Sequence, residues 1–161
     1  MAYEKKAKFS KILVAIDGSD HSMKAAEYAI DIARDNKAQL IALTVLDISK
    51  IAYAASAFIA SPIYGLDKLE RNRKESQEWL DKVGKLASQK SNDNNNNDIQ
   101  FKSQIEESMS VAGTIVDYAE NQNIDLIVVG SRGRSGFKKL LLGSVASGVV
   151  TYTHCPVMVV K

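Results

Sequence analysis

Residues 11–30 read KILVAIDGSDHSMKAAEYAI. The first part, Ile12-Leu13-Val14-Ala15-Ile16, is an unbroken apolar run that stops at Asp17-Gly18. Continuous rather than alternating hydrophobicity predicts a strand buried on both faces, as in a parallel sheet covered by helices. Beyond the turn the period changes. Met23, Ala26, Ile30 and Ala33 are spaced three, four and three apart, which predicts an amphipathic helix. Asp17 to Ser19, or Asp20, offers N-cap chemistry between the two segments. Strand, short polar turn and helix make half of a βαβ unit.

The same alternation recurs outward from this stretch. Apolar runs at 40–46, 124–129 and 157–160 predict further buried strands. Residues 99–105, IQFKSQI, alternate instead and predict a half-exposed strand at a sheet edge. Helical stripes lie between the runs: Val111, Ala112, Ile115, Val116 and Ala119 behind a Ser110 cap, and Val145, Ala146, Val149 and Val150 within 143–153. Residues 67–90 predict a longer helix, with Leu69, Leu80, Val83 and Leu86 on one face and a charged, solvated first half. Strands alternating with helices predict an α/β domain: an open, Rossmann-like, five-stranded parallel sheet with helices on both faces. It is expected to form a single domain over residues 1–161, with 1–10 as an N-terminal extension and the Asn-rich tract 92–98 as a mobile loop. Residues 48–66 read as an apolar loop carrying Tyr53, Phe58, Ile59 and Tyr64, compatible with core packing, an oligomer contact or a lid.

Composition narrows the class. At 45% hydrophobic and 25% charged residues the chain is neither collagen-like nor wholly disordered. A net charge of +2 gives no global reason to expect nucleic acid or an acidic membrane as partner. The single cysteine, Cys155, excludes an intramolecular disulfide and fits a reducing compartment. Residues 1–10 lack the apolar stretch of a secretory signal, and 51–66 is too short and polar to span a bilayer, so a cytoplasmic protein is expected.

Ligands of open α/β sheets bind beyond the carboxyl ends of the strands, where strand order reverses. The most informative stretch after a predicted strand is 129–144, VGSRGRSGFKKLLLGS. Gly130, Gly133 and Gly136 leave space against the backbone, successive amides can form a nest for phosphate oxygens, and Ser131 and Ser144 add hydroxyl donors. Gly143-Ser144 opens a helix, whose first amides favour an anion. Arg132, Arg134, Lys138 and Lys139 agree in charge, and no acid follows Asp125. A solvated basic loop is the alternative reading. Asp17 is compatible with helix capping and with ligand contact, while His21 suits a phosphate contact or a plain surface position. His154 and Cys155 are sequence neighbours, which does not place their side chains together for nucleophilic catalysis. Cys155, Trp79 and Phe137 read as packing residues.

Gly130-x2-Gly133-x9-Gly143-Ser144 after an apolar strand resembles the Gly-x2-Gly-x9-Gly-Ser/Thr signature of universal stress proteins. The opening KILVAIDGSDHSMKAAEYAI and closing HCPVMVVK are also similar to that family, so the resemblance spans about 11–161. It is to the ATP-binding branch. The resemblance implies strand order 3-2-1-4-5 and a nucleotide site. Ala15 and Asp17 match positions beside the nucleotide, Val45 the adenine pocket, and Val129 and Gly130 the adenine and ribose border. Ser131, Gly133, Gly143, Ser144 and Val145 match ribose and triphosphate contacts; Arg132 stands at a variable position. ATP, with Mg²⁺ bridging its phosphates, is the implied cofactor. The apolar edge strand 157–160 needs a cover, and the family's habit of pairing it across a two-fold axis implies a homodimer.

Four functions remain open on the sequence: an ATP-dependent regulatory or stress-response module, a slow ATPase or nucleotide transferase, a protein-interaction module that uses nucleotide only for stability or as a switch, and a binder of AMP or cyclic AMP. No Gly-x4-Gly-Lys-Ser/Thr P-loop occurs, and Asp17, Asp20 and His21 are the only candidates to orient a hydrolytic water.

Overall fold

The computed structural model describes residues 9–57, 62–92, 99–134 and 142–161. Expectations for the N-terminal extension up to residue 8, for Phe58 and Ile59, for the Asn-rich tract 93–98, and for Gly136, Phe137, Lys138 and Lys139 lie outside these residues. In chain order the elements are β1 (Lys11–Ala15), α1 (Asp20–Asn36), β2 (Gln39–Asp47), α2 (Ser49–Ser56) and α3 (Pro62–Asn92). β3 (Phe101–Ser108), α4 (Val111–Asn121), β4 (Leu126–Gly130), α5 (Ser144–Tyr152) and β5 (Val157–Val160) follow.

The strands form one sheet in the order β3-β2-β1-β4-β5, every neighbouring pair parallel. Ile12 is opposite Leu40 on one side and Leu126 on the other, so β1 lies at the centre. Successive β1 side chains feed two cores. Ile12 and Val14 pack beneath α1 and α3, with Ala26, Ile30, Leu80 and Val83. Leu13 faces the opposite layer, with Ile115 and Ala119 of α4 and Ala146 and Val149 of α5. The unbroken apolar runs are therefore buried on both faces, each such side chain contributing about 1.5–3 kcal/mol of burial.

Local chemistry sets the element ends. Ser19 caps α1 by accepting the Ser22 amide, and Ser110 caps α4 by accepting the Gly113 amide. The carboxylate of Asp125, just before β4, accepts the amides of Ser10 and Lys11 and so aligns the start of β1. The alternating segment forms the edge strand β3, as expected, displaced to 101–108.

The apolar loop expected over 48–66 is a correction. Residues 49–56 form α2, which buries none of its residues, and α3 begins at Pro62 rather than near 67. Proline at the start of a helix gives up only an amide that would lack a partner there. No α2 residue is buried, so its sequence carries no core-facing stripe, although Ile51 lies against Gly65 of α3. In α3, burial starts at Ser76 and continues through Leu80, Val83 and Ala87, while the charged first half stands free of the core. Among the described residues no helix is long and apolar enough to cross a membrane.

Candidate nucleotide cleft

Strand order reverses between β1 and β4, and a cleft of about 540 Å³ opens at their carboxyl ends. Its walls differ in character. Ala15, Leu43, Val45, Val111, Ile115 and Val129 line an apolar part, and Asp17, Arg132, Gly133, Arg134 and Ser144 a polar one. Ten of the eleven sequence-predicted positions meet there: Ala15, Asp17, Val45, Val129, Gly130, Arg132, Gly133, Gly143, Ser144 and Val145.

Ser131 is the exception. It is 2% exposed and does not line the cleft. Its amide donates to the Val160 carbonyl at 2.6 Å, and its own carbonyl accepts the Gly143 amide at 2.7 Å. Ser131 thus clamps the cleft floor to β5 and to the start of α5.

The glycines serve close approaches. A Cβ on Gly130 would lie 2.8 Å from the His21 carbonyl carbon, because the first turn of α1 rests on the end of β4. A Cβ on Gly133 would lie 2.8 Å from Asp17 Oδ2. Asp17 ties the two loops together. Its Oδ1 accepts the Ser19 amide at 3.0 Å and the Ser19 hydroxyl at 2.5 Å, and its Oδ2 accepts the Arg134 amide at 3.2 Å. Capping of α1 falls to Ser19, with Asp17 orienting the capping hydroxyl.

At the other end of the polar wall, α5 begins with Gly143 as N-cap and no side-chain cap. Helix geometry leaves the amides of Ser144, Val145 and Ala146 without intrahelical acceptors, and all three residues line the cleft. Such a terminus carries the positive end of the helix dipole and is suited to an anion.

Two further residues line the cleft: Lys50, from α2 inside the segment read as a loop, and Arg134, whose charge the sequence marked but whose partners on α3 it did not. The Arg134 guanidinium lies 5.1 Å from the Trp79 ring centroid, and its Nη2 is 3.5 Å from Glu75 Oε1. Trp79 in turn covers Gly18, where a Cβ would fall 2.3 Å from the ring and φ is +78°. Asp47, the last residue of β2, also lines the cleft. The Ser49 hydroxyl and amide, aided by the Lys50 charge, hold its carboxyl below the usual carboxylate value against a desolvation that raises it.

Other candidates stay apart. His21 does not line the cleft, although its backbone supports Gly130. His154 is exposed with Nε2 3.9 Å from Glu120, while half-buried Cys155 packs in the second core beside the Thr153 hydroxyl. Among the described residues no group of three or more His, Cys, Asp or Glu side chains is arranged to hold a metal ion.

An open parallel sheet with this order, a two-sided cleft at its switch point and a Gly-x2-Gly-x9-Gly-Ser floor define a class, and comparison agrees. The sequence profile of the universal stress protein family matches residues 8–161, and the chain belongs to that family. It is 37% identical over 155 residues to a universal stress protein of Methanocaldococcus jannaschii, covering 95% of this chain and 82% of the relative. The solved universal stress protein UspA of Lactobacillus plantarum superposes with a TM-score of 0.82 at 28% identity, covering 97% of this chain and all of that one. Two more distant structures share the fold. One is a universal stress protein in complex with cAMP, at 24% identity and TM-score 0.64, covering 96% and 98% of the two chains. The other, from Archaeoglobus fulgidus, is in complex with dAMP, at 18% identity and TM-score 0.65, covering 96% and 100%.

Proposed function

We propose that the cleft binds an adenine nucleotide, ATP in the first place, and that the protein is a single-domain, nucleotide-dependent regulatory module of the cytoplasm. The observation that carries this reading is the division of one cleft into an apolar part and an anion-binding part. Leu43, Val45, Val111 and Ile115 suit the faces of a base. The bare N-terminus of α5, Gly133 and the cations Arg132 and Arg134 suit phosphates. Relatives in complex with cAMP and dAMP support an adenine ligand.

A Mg²⁺ ion would arrive on the phosphates rather than be caged by protein. Asp17 is the nearest predicted carboxylate, and both its oxygens already accept hydrogen bonds from Ser19 and Arg134. The same engagement argues for binding over rapid hydrolysis, since Asp17 would have to release these donors before orienting a water.

Thermal unfolding with ATP, AMP and cyclic AMP tests the reading. At 100 times the dissociation constant, binding adds about 2.7 kcal/mol. For a chain of this size that raises Tm by about 5–10 °C. ATP is expected to give the largest shift, a larger shift with AMP or cyclic AMP would reassign the ligand, and no shift with any of them would overturn the proposal.

We also propose a homodimer built on β5. Val157, Met158 and Val159 are half-buried on a strand at the sheet edge, whose outer backbone groups invite pairing. Sedimentation at micromolar concentration is expected to give twice the 17.6 kDa chain mass. Substituting lysine for Val159 should yield monomers, and a wild-type monomer would sink the idea.

A further inference from the structure

Arg134 belongs to two parts of the molecule at once. It lines the polar part of the cleft, and its amide is bound to Asp17. Its guanidinium points to α3, over Trp79 and beside Glu75. The ion pair is exposed on both sides, at 59% and 46%, and such pairs hold weakly. A phosphate group offers more charge and a geometry that a guanidinium matches with two parallel hydrogen bonds. Glu75 and a ligand phosphate are thus rivals for one cation.

We propose that Arg134 is the residue through which the cleft registers phosphate. Without phosphate it rests on Glu75 and Trp79; with a phosphorylated nucleotide bound it moves to the phosphate oxygens. The exchange frees the outer half of α3 from the loop after β4. Among the described residues this half buries none before Ser76, and a further tie to a strand is the ion pair of Arg73 with Glu107, near the end of β3. Nucleotide occupancy is thereby written into the surface formed by the start of α3. The inference rests on the nucleotide reading of the cleft and adds a specificity and signalling role to it. Trp79 is the single tryptophan of the chain, so its emission reports this contact directly.

The test combines calorimetry with Trp79 emission during titration of the full chain by Mg-ATP. Wild type is expected to bind with a change in emission. Glu75→Gln, which removes the rival, should bind ATP three- to tenfold more tightly. Glu70→Gln removes the same charge from an exposed site on α3 away from Arg134 and should leave affinity within twofold. Arg134→Gln should weaken binding about tenfold and erase the emission change, and adding Glu75→Gln to it should bring no gain. Calorimetric binding with unchanged Trp79 emission, equal gains from the Glu75 and Glu70 variants, or an emission change that survives Arg134→Gln would each overturn this proposal alone. Absence of calorimetric ATP binding by wild type would overturn it together with the nucleotide reading. The Glu75 substitution lies on the exposed half of α3, so its result stands even if Arg134→Gln fails to fold.

Discussion

Alanine at Gly130 is expected to lower Tm by about 6–12 °C and to abolish stabilisation by nucleotide. The added Cβ would sit 2.8 Å from the His21 carbonyl carbon, 2.9 Å from its Cβ and 3.0 Å from its carbonyl oxygen. Two of these atoms are backbone in the first turn of α1, so no rotamer change relieves the contact. The helix must lift from β4. Overpacking of this kind costs about 1–3 kcal/mol, and a backbone obstacle places it near the upper end. At roughly 2–4 °C per kcal/mol the Tm range follows. Gly143→Ala is the matched control. Its nearest atoms are 3.4 Å away, an ordinary contact, so its Tm should stay within about 2 °C. Equal melting temperatures for wild type and Gly130→Ala would remove the argument.

The second large effect concerns Asp17. Substitution by alanine should weaken nucleotide binding at least tenfold and lower stability by about 2 kcal/mol, the scale of hydrogen bonds to a charged group. Three donors lose their acceptor: the Ser19 amide, the Ser19 hydroxyl and the Arg134 amide. The Ser19 hydroxyl then no longer points its lone pair at the Ser22 amide, 3.2 Å away, so the cap of α1 weakens too. Asparagine separates the two roles. Its carbonyl can still accept from Ser19, but its amide would meet the Arg134 N–H donor to donor. Asp17→Asn is therefore expected to regain most of the stability and little of the affinity. Calorimetry and thermal unfolding of both variants check this, and wild-type affinity in Asp17→Ala would refute it.

Much of this architecture was legible in residue order, for physical reasons. Central parallel strands have no solvent face, so Ile12 to Ile16 and residues 40–46 are apolar but for Thr44, whose hydroxyl donates to the Ile16 carbonyl, whereas the segment 99–105 that leads into the edge strand β3 alternates. The cleft residues follow the strands directly, as the switch-point rule demands, and ten of eleven converge. What escaped had no periodic signal. α2 buries nothing, so no stripe marks it. Lys50 therefore looked like part of an apolar loop. Trp79 and Glu75 reach Arg134, and Gly18 reaches Trp79, only through tertiary packing, and a single sequence carries no trace of such a meeting. Ser131 alone of the eleven does not line the cleft, and the bonds its backbone makes to β5 and to the start of α5 leave no mark in the residue order.

The bond from the Ser131 amide to the Val160 carbonyl also sets an order of events during synthesis. The loop that lines the polar part of the cleft is pinned by the last strand of the sheet, and α5, whose first residues line the same cleft, leads directly into that strand. A nascent chain carrying β1 to β4 already holds most of the buried core, and of the sheet's pairings it lacks the one between β4 and β5. It has no finished pocket. On the proposed reading, nucleotide can therefore stabilise only a chain that has reached β5, and a fragment stalled before residues 157–160 would sit on the ribosome without that protection.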